Sequence, residues 1–187
     1  MAGNGTKVDM EDHIKSILKQ IDPDCGRLEE TPRRAAKACK EFFSGYDVNA
    51  VAVVSRFYDS GMDDLVILRN IGFQSYCEHH LAPIVGSVGI GYVPDGRIIG
   101  ASKLVRLVDC FACRLQLQER MTMEIAKTLE EVLRPRGVCV YVEAEHFCMS
   151  HRGVKKPGAR LVTRYFCGIL KERFDLRREF LDAVAGN

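Results

Sequence analysis

The hydrophobic period changes part-way along the chain. Near the N-terminus apolar residues recur at helical spacing. Ile14, Ile17, Leu18 and Ile21 share one face of a segment that Asp9 can cap and Asp22-Pro23-Asp24 ends. Thr31-Pro32 reads as a cap followed by proline at the first helical position. It opens a second helix with Ala35, Cys39 and Phe42 on one face, stopping near Gly45. Residues 1–8 lack such a pattern and read as a loose tail. From Leu65 to Phe73 the chain is rich in branched residues and predicts a strand. Val88, Ile90 and Tyr92 alternate with small residues on a second strand. Pro94-Asp95-Gly96 predicts a turn, and Arg97 to Gly100 returns as a short strand.

Two helices follow. One begins near Ser102 with Leu104, Leu107, Val108 and Phe111 on one face. The other begins near Gln118 with Met121, Ile125, Leu129 and Val132. Pro135-Arg136-Gly137 breaks the second. Val138, Val140, Val142 and Ala144 then alternate on a further strand, Leu161 to Leu170 forms the last, and Leu176 to Val184 suits a short C-terminal helix. The core order is strand, strand, helix, helix, strand, strand. Hairpin-linked strands favour an antiparallel four-stranded sheet with two helices on one face, an α+β class. The expected organisation is an N-terminal helical extension over 1–60 and a sheet domain over 61–187.

Composition narrows the partners. The 187 residues are 47% apolar, which is enough for a core. With 27 Lys and Arg against 25 Asp and Glu, the net charge of +2 does not suggest a nucleic-acid binder. No apolar run has the length of a membrane span, and the N-terminus lacks the apolar core of a secretory signal. The eight cysteines are therefore expected to be reduced thiols in the cytoplasm rather than a disulfide framework.

Some of those thiols are placed to hold metal. Cys77 and His80 have the Cys-x-x-His spacing that lets two side chains converge on one ion, and a thiolate with an imidazole suits zinc. Singly, each would read as a packed core residue. Clustered, and joined by His146-Phe147-Cys148 at a distant strand end, they read as ligands. With Cys148 as the third, a coordination position stays open for water, the mark of catalytic zinc. Cys110 and Cys113 form a competing Cys-x-x-Cys, but they fall within a strongly periodic helix and no second pair completes a four-ligand set. Cys25, Cys39, Cys139 and Cys167 are expected to pack as small apolar residues.

Five runs complete the pattern: Glu30-Thr31-Pro32-Arg33; Cys77-Glu78-His79-His80; Ile99-Gly100-Ala101-Ser102-Lys103 with Arg106; Gln118-Glu119-Arg120; and His146-Phe147-Cys148-Met149 with Arg152-Gly153-Val154. In order and spacing they resemble the type-one GTP cyclohydrolase family, from about Leu28 to about Gly168. The resemblance implies the tunnelling fold, assembly into rings, two stacked pentamers forming a homodecamer, and active sites between subunits. It implies zinc on Cys77, His80 and Cys148, with His79 and His146 as catalytic histidines. It implies purine recognition by Glu119 with Gln118 beside it, and a ribose and triphosphate held by Ser102, Lys103, Arg106 and Arg152.

The chemistry implied is hydrolytic opening of the GTP imidazole ring at C8, release of formate, and re-closure to 7,8-dihydroneopterin triphosphate. Each role suits its residue type. Imidazole titrates near neutrality and can deliver protons to departing nitrogens. A carboxylate can accept from guanine N1–H and the 2-amino group together, which adenine cannot offer. Converging cations grip a triphosphate. Lys155, Lys156 and Arg160 read as solvated. Arg164 and Tyr165 follow Thr163 where the family commonly carries small hydroxyl residues, and His151 stands where a basic residue is unusual. Two other readings use the same residues: a cyclohydrolase that stops at a formamidopyrimidine, and a zinc-stabilised ring protein that binds purine or pterin without turning it over.

Overall fold

The computed structural model describes residues 9–185, apart from the side chain of Cys25. The expected tail over 1–8 and the packing of Cys25 lie outside the described residues. The chain divides into two compact units, Met1–Phe43 and Ser44–Asn187.

In the first unit, α1 spans Met10–Ile21, and the Asp9 side chain accepts from the Met10 N–H at 2.7 Å. α2 spans Thr31–Phe42. Its N-cap is Glu30 rather than Thr31, because Glu30 already has helical backbone angles. The Glu30 carboxylate takes the Arg33 Nε–H at 3.2 Å instead of capping. Thr31 and Pro32 therefore both sit in the first turn, where proline forfeits no intrahelical bond.

The second unit opens with α3 (Ala50–Val53), β1 (Phe57–Asp59), β2 (Val66–Cys77), β3 (Pro83–Val93) and β4 (Arg97–Ile99). There follow α4 (Ala101–Ala112), β5 (Leu115–Gln116), α5 (Gln118–Leu133), β6 (Gly137–His146), α6 (Phe147–Ser150), β7 (Arg160–Gly168), α7 (Ile169–Glu172) and α8 (Phe174–Ala185). The main sheet has the order β5-β2-β3-β6-β7. β2, β3, β6 and β7 form the expected antiparallel set, and β5 adds two residues parallel to the end of β2. β4 does not join this sheet. β3 is paired on both edges out to Tyr92, with Val66 on one side and Val138 on the other, so the returning strand finds β1 instead.

The period of two along β6 sorts the core into two layers. Val138, Val140, Val142 and Ala144 face α4 and α5, against Leu104, Leu107, Ile125 and Leu129, all buried. Cys139 faces the other way and packs with Val93, Leu170 and Phe180 beneath α8. The two long helices thus share one face as expected, while α8 covers one end of the opposite face. Its anchor, Phe180, is fully buried and contributes on the order of 2–3 kcal/mol.

The anchor needs glycine beneath it. A Cβ on Gly91 would lie 2.6 Å from Cys139 Sγ and 2.8 Å from Phe180 Cδ2, both immobile core groups. Gly91→Ala is expected to destabilise the protein by roughly 1–3 kcal/mol, read as a lower denaturant midpoint with an unchanged slope. A variant as stable as the parent would show that α8 is loosely seated.

The sheet also positions the chemistry. β3 runs antiparallel between β2 and β6, so its first residues are flanked by the last residues of both. Tyr76 pairs with Pro83, and Ile84 pairs with His146. Cys77 and His146 therefore emerge at the same end of the sheet, two strand spacings or roughly 10 Å apart.

Candidate active site

The loop that leaves β2 reverses within four residues. Leu81 takes a left-handed backbone (φ 54), and its N–H and that of His80 both return to the Cys77 carbonyl, at 2.9 and 3.3 Å. This folds His80 back over Cys77, with His80 Nδ1 3.8 Å from Cys77 Sγ. From the other strand end, the short α6 lifts Cys148 towards the same point. Donor atoms of Cys77, His80 and Cys148 all lie within 4.8 Å of one another, the one such group found among the described residues.

Two thiols and an imidazole at this range form a soft, three-donor set that fits a borderline cation such as zinc. Burial and the neighbouring Cys77 push the Cys148 thiol above its usual pKa, with Arg152 opposing. A bound cation would reverse that balance, since a coordinating thiol is deprotonated. Cys110 and Cys113 are not part of the cluster. Cys110 is buried 3.6 Å from the Val48 carbonyl and 3.3 Å from Arg114 Nη2, and burial raises both thiols. Cys139 and Cys167 are buried free thiols, Cys167 being pushed up to about 11, chiefly by burial.

Around the cluster stand groups whose role adjacency in sequence does not reveal. Arg152 places Nη1 3.2 Å from His80 Nε2, just ahead of a tight turn through Gly153 (φ 62). Glu78 is clamped by Arg120, which also reaches the Gln116 side chain at 3.2 Å and the Leu115 carbonyl at 3.2 Å. The start of α5 thereby holds the loop that leaves β2. His79 is exposed on that loop, with Nε2 4.0 Å from Glu78 Oε1.

His146 is half-buried, with Nε2 2.9 Å from Gln118 Oε1. Burial lowers its pKa and the charge of Glu119 partly restores it. The neutral imidazole is thus favoured near physiological pH, as a proton acceptor requires. Glu119 itself is exposed in the first turn of α5, while Gln118 beside it is buried.

The remaining predicted residues lie elsewhere. Ile99 N–H bonds the Tyr92 hydroxyl at 3.3 Å, so α4 begins at the Tyr92 end of β3. Ser102 and Lys103 are in its first turn and Arg106 is one turn on, with Ser102 and Arg106 exposed. Pro83, beside the metal loop, is nine residues back along β3, roughly 30 Å at about 3.4 Å per residue. Within one chain, Cys77, His79, His80, His146, Cys148 and Arg152 come together, with Gln118 and Glu119 next to His146. Ser102 and Lys103 do not join them.

The family model for GTP cyclohydrolase I matches residues 10–185. The chain belongs to the GTP cyclohydrolase I family. Over 178 residues it is 44% identical to GTP cyclohydrolase 1 of Gloeobacter violaceus, covering 94% of this chain and 83% of that protein. Over 189 residues it is 41% identical to GTP cyclohydrolase 1 of Sinorhizobium fredii, covering 99% and 92%. Among solved structures, the apo archaeosine synthase QueF-Like aligns with a TM-score of 0.47 at 19% identity, over 56% of this chain and 93% of that one.

Against the family pattern, the departures at Arg164 and Tyr165 are located by the sheet. Arg164 pairs with Tyr141 on the α8 side of β7, whereas Thr163 reaches Gln118 on the α5 side. Arg164 therefore lies on the sheet face opposite Gln118. Tyr165 packs against the main core. Arg160 forms an ion pair with Glu143 at 2.7 Å, and Lys155 and Lys156 are exposed.

Proposed function

We propose that the protein is a zinc-dependent GTP cyclohydrolase I, opening the GTP imidazole ring at C8, releasing formate and re-closing the product as 7,8-dihydroneopterin triphosphate. The observation that carries this reading is the convergence of Cys77, His80 and Cys148 at the sheet end where His79 and His146 also emerge. Cys77, His80 and Cys148 would hold the zinc, which would supply Lewis acidity there. His146 and His79 take and return the protons that move as the ring nitrogens depart. Glu119 accepts from guanine N1–H and the 2-amino group, and Arg152 meets the phosphates. The free thiols of the described cysteines support a reducing, cytoplasmic setting.

Ser102, Lys103 and Arg106 serve the ribose and triphosphate of a neighbouring chain's site in this reading. Their distance from the cluster within one chain supports it. So do two open sheet edges: the outer edge of β7, and the edge of β2 that β5 leaves uncovered before Tyr76. Edges of that length are ordinarily paired or covered. We take the assembly to be a homodecamer of two stacked pentamers.

Glu119→Ala tests the purine end. GTP turnover, followed by pterin fluorescence after oxidation, is expected to fall on the order of 100-fold or more, because a guanine donor pair loses its acceptor. Metal content and oligomer size are expected to stay as in the parent. Near-parental turnover with ordinary discrimination against ATP would remove Glu119 from the purine site.

A further inference from the structure

The hydrogen bonds around Gln118 settle which end of its amide faces His146. Its Nε2 faces three acceptors: the Val142 carbonyl at 3.1 Å, the Leu161 carbonyl at 3.0 Å and Thr163 Oγ1 at 3.1 Å. Carbonyl oxygens cannot donate, so a flipped amide would set oxygen against oxygen at two contacts. The Thr122 hydroxyl donates to the Gln118 backbone carbonyl at 2.7 Å, leaving its oxygen to accept from Thr163, also at 2.7 Å. Thr163 Oγ1 is then free to accept from Gln118. With its nitrogen so engaged, Gln118 can present only Oε1 to His146, and the 2.9 Å contact requires a proton on His146 Nε2. Gln118 is 1% exposed.

We propose that Gln118 is a positioning residue that keeps a proton on His146 Nε2 by accepting from it, leaving Nδ1 as the nitrogen open to exchange a proton with substrate. This rests on the reading of His146 as a proton-transfer group. The amide is suited to the task because it does not titrate, and because its nitrogen end is fixed by strands β6 and β7. Neither nitrogen of an imidazole is intrinsically committed to the proton. A fixed acceptor on one of them makes the commitment. A purely structural Gln118 would tie α5 to the sheet but would leave the tautomer and the rate of the chemical step untouched.

The test uses the full-length, metal-loaded protein labelled with 15N in its histidine rings, with His146→Asn identifying the His146 signals. At a pH where the ring is neutral, the parent spectrum is expected to report Nε2–H. Gln118→Met keeps the length and removes both polar ends. It is expected to give a mixture of tautomers and a kcat lower by roughly 10- to 100-fold, with the KM for GTP changed less than about threefold. Gln118→Glu, which in its neutral form keeps one donor and one acceptor, is expected to restore Nε2–H and part of kcat.

A parent His146 carrying its proton on Nδ1 overturns the proposal without recourse to any variant. So does a folded Gln118→Met protein with the parental tautomer and kcat. Undiminished turnover in His146→Asn would instead overturn the catalytic reading of His146, and the spectra would still decide what Gln118 does to the ring.

Discussion

Cys148→Ser is expected to reduce bound metal to background and GTP turnover by at least ~100-fold, while the sheet and its helices stay folded. The substitution changes one atom on the short α6 and exchanges a thiolate donor for a hydroxyl that does not ionise near neutral pH. The hydrophobic layers do not depend on it. Val138, Val140, Val142, Ile125 and Leu129 are all fully buried along the body of the sheet, and burial of that kind is what holds the unit together. A closed structural zinc site would behave otherwise, because its binding energy would be folding energy and its loss would unfold the domain. Closure would need a fourth protein ligand, and neither spare cysteine is at the cluster: the Cys110 thiol sits against Val48 and Arg114, and the Cys113 carbonyl takes the Gly45 N–H. Metal analysis, circular dichroism and turnover on Cys77→Ser, His80→Ala, Cys148→Ser and a Cys110→Ser/Cys113→Ser double variant separate the two cases. The first three should be metal-poor, folded and inactive, and the double variant should keep metal and activity. Loss of metal from the double variant would mean that the ligand set is wrong.

The long elements of this fold are legible because their period repeats often enough to be read. α5 shows its buried stripe through Met121, Ile125 and Leu129, and β6 shows strict alternation from Val138 to Ala144. β1 and β5, of three and two residues, leave no period to detect, and the choice of β1 as the partner of β4 depends on both edges of β3 being taken. All three residues of the candidate metal cluster are named from the sequence, but by different signals. Cys77 and His80 are close in sequence, but Cys148 joins them through strand register. Least legible is the division of labour at the start of α5. Gln118 and Glu119 are adjacent, and spacing alone gives them one address. Successive helical residues point about 100° apart, so Glu119 turns outward and Gln118 turns under the sheet between β6 and β7. The clamp of Arg120 on Glu78 is invisible for the same kind of reason, since the partners are 42 residues apart and meet only once β5 is laid beside β2.

Two inactive variants of this protein are expected to restore each other when assembled together. Cys148→Ser disables the metal end of a site. Lys103→Ala with Arg106→Ala removes the charges proposed to hold the triphosphate at the start of α4, which lies at the opposite end of β3 from the loop that leaves β2. If each site takes its metal end from one chain and its α4 end from another, every site in either pure variant carries one damaged half. In a random one-to-one assembly, about one site in four receives both intact halves, so turnover should recover to roughly a quarter of the parental value per chain. A site built within one chain predicts no recovery, because each chain then carries its own defect wherever it is assembled. The measurement is turnover by the co-expressed mixture, with native mass analysis to verify that both variants are present in the same particles. Those particles are expected at roughly ten times the 21.0 kDa of one chain. A mixed assembly that stays inactive would sink the shared site. Full activity in the Lys103→Ala/Arg106→Ala protein alone would show that α4 does not hold the phosphates, and the separation of the two ends along β3 would then have no catalytic meaning.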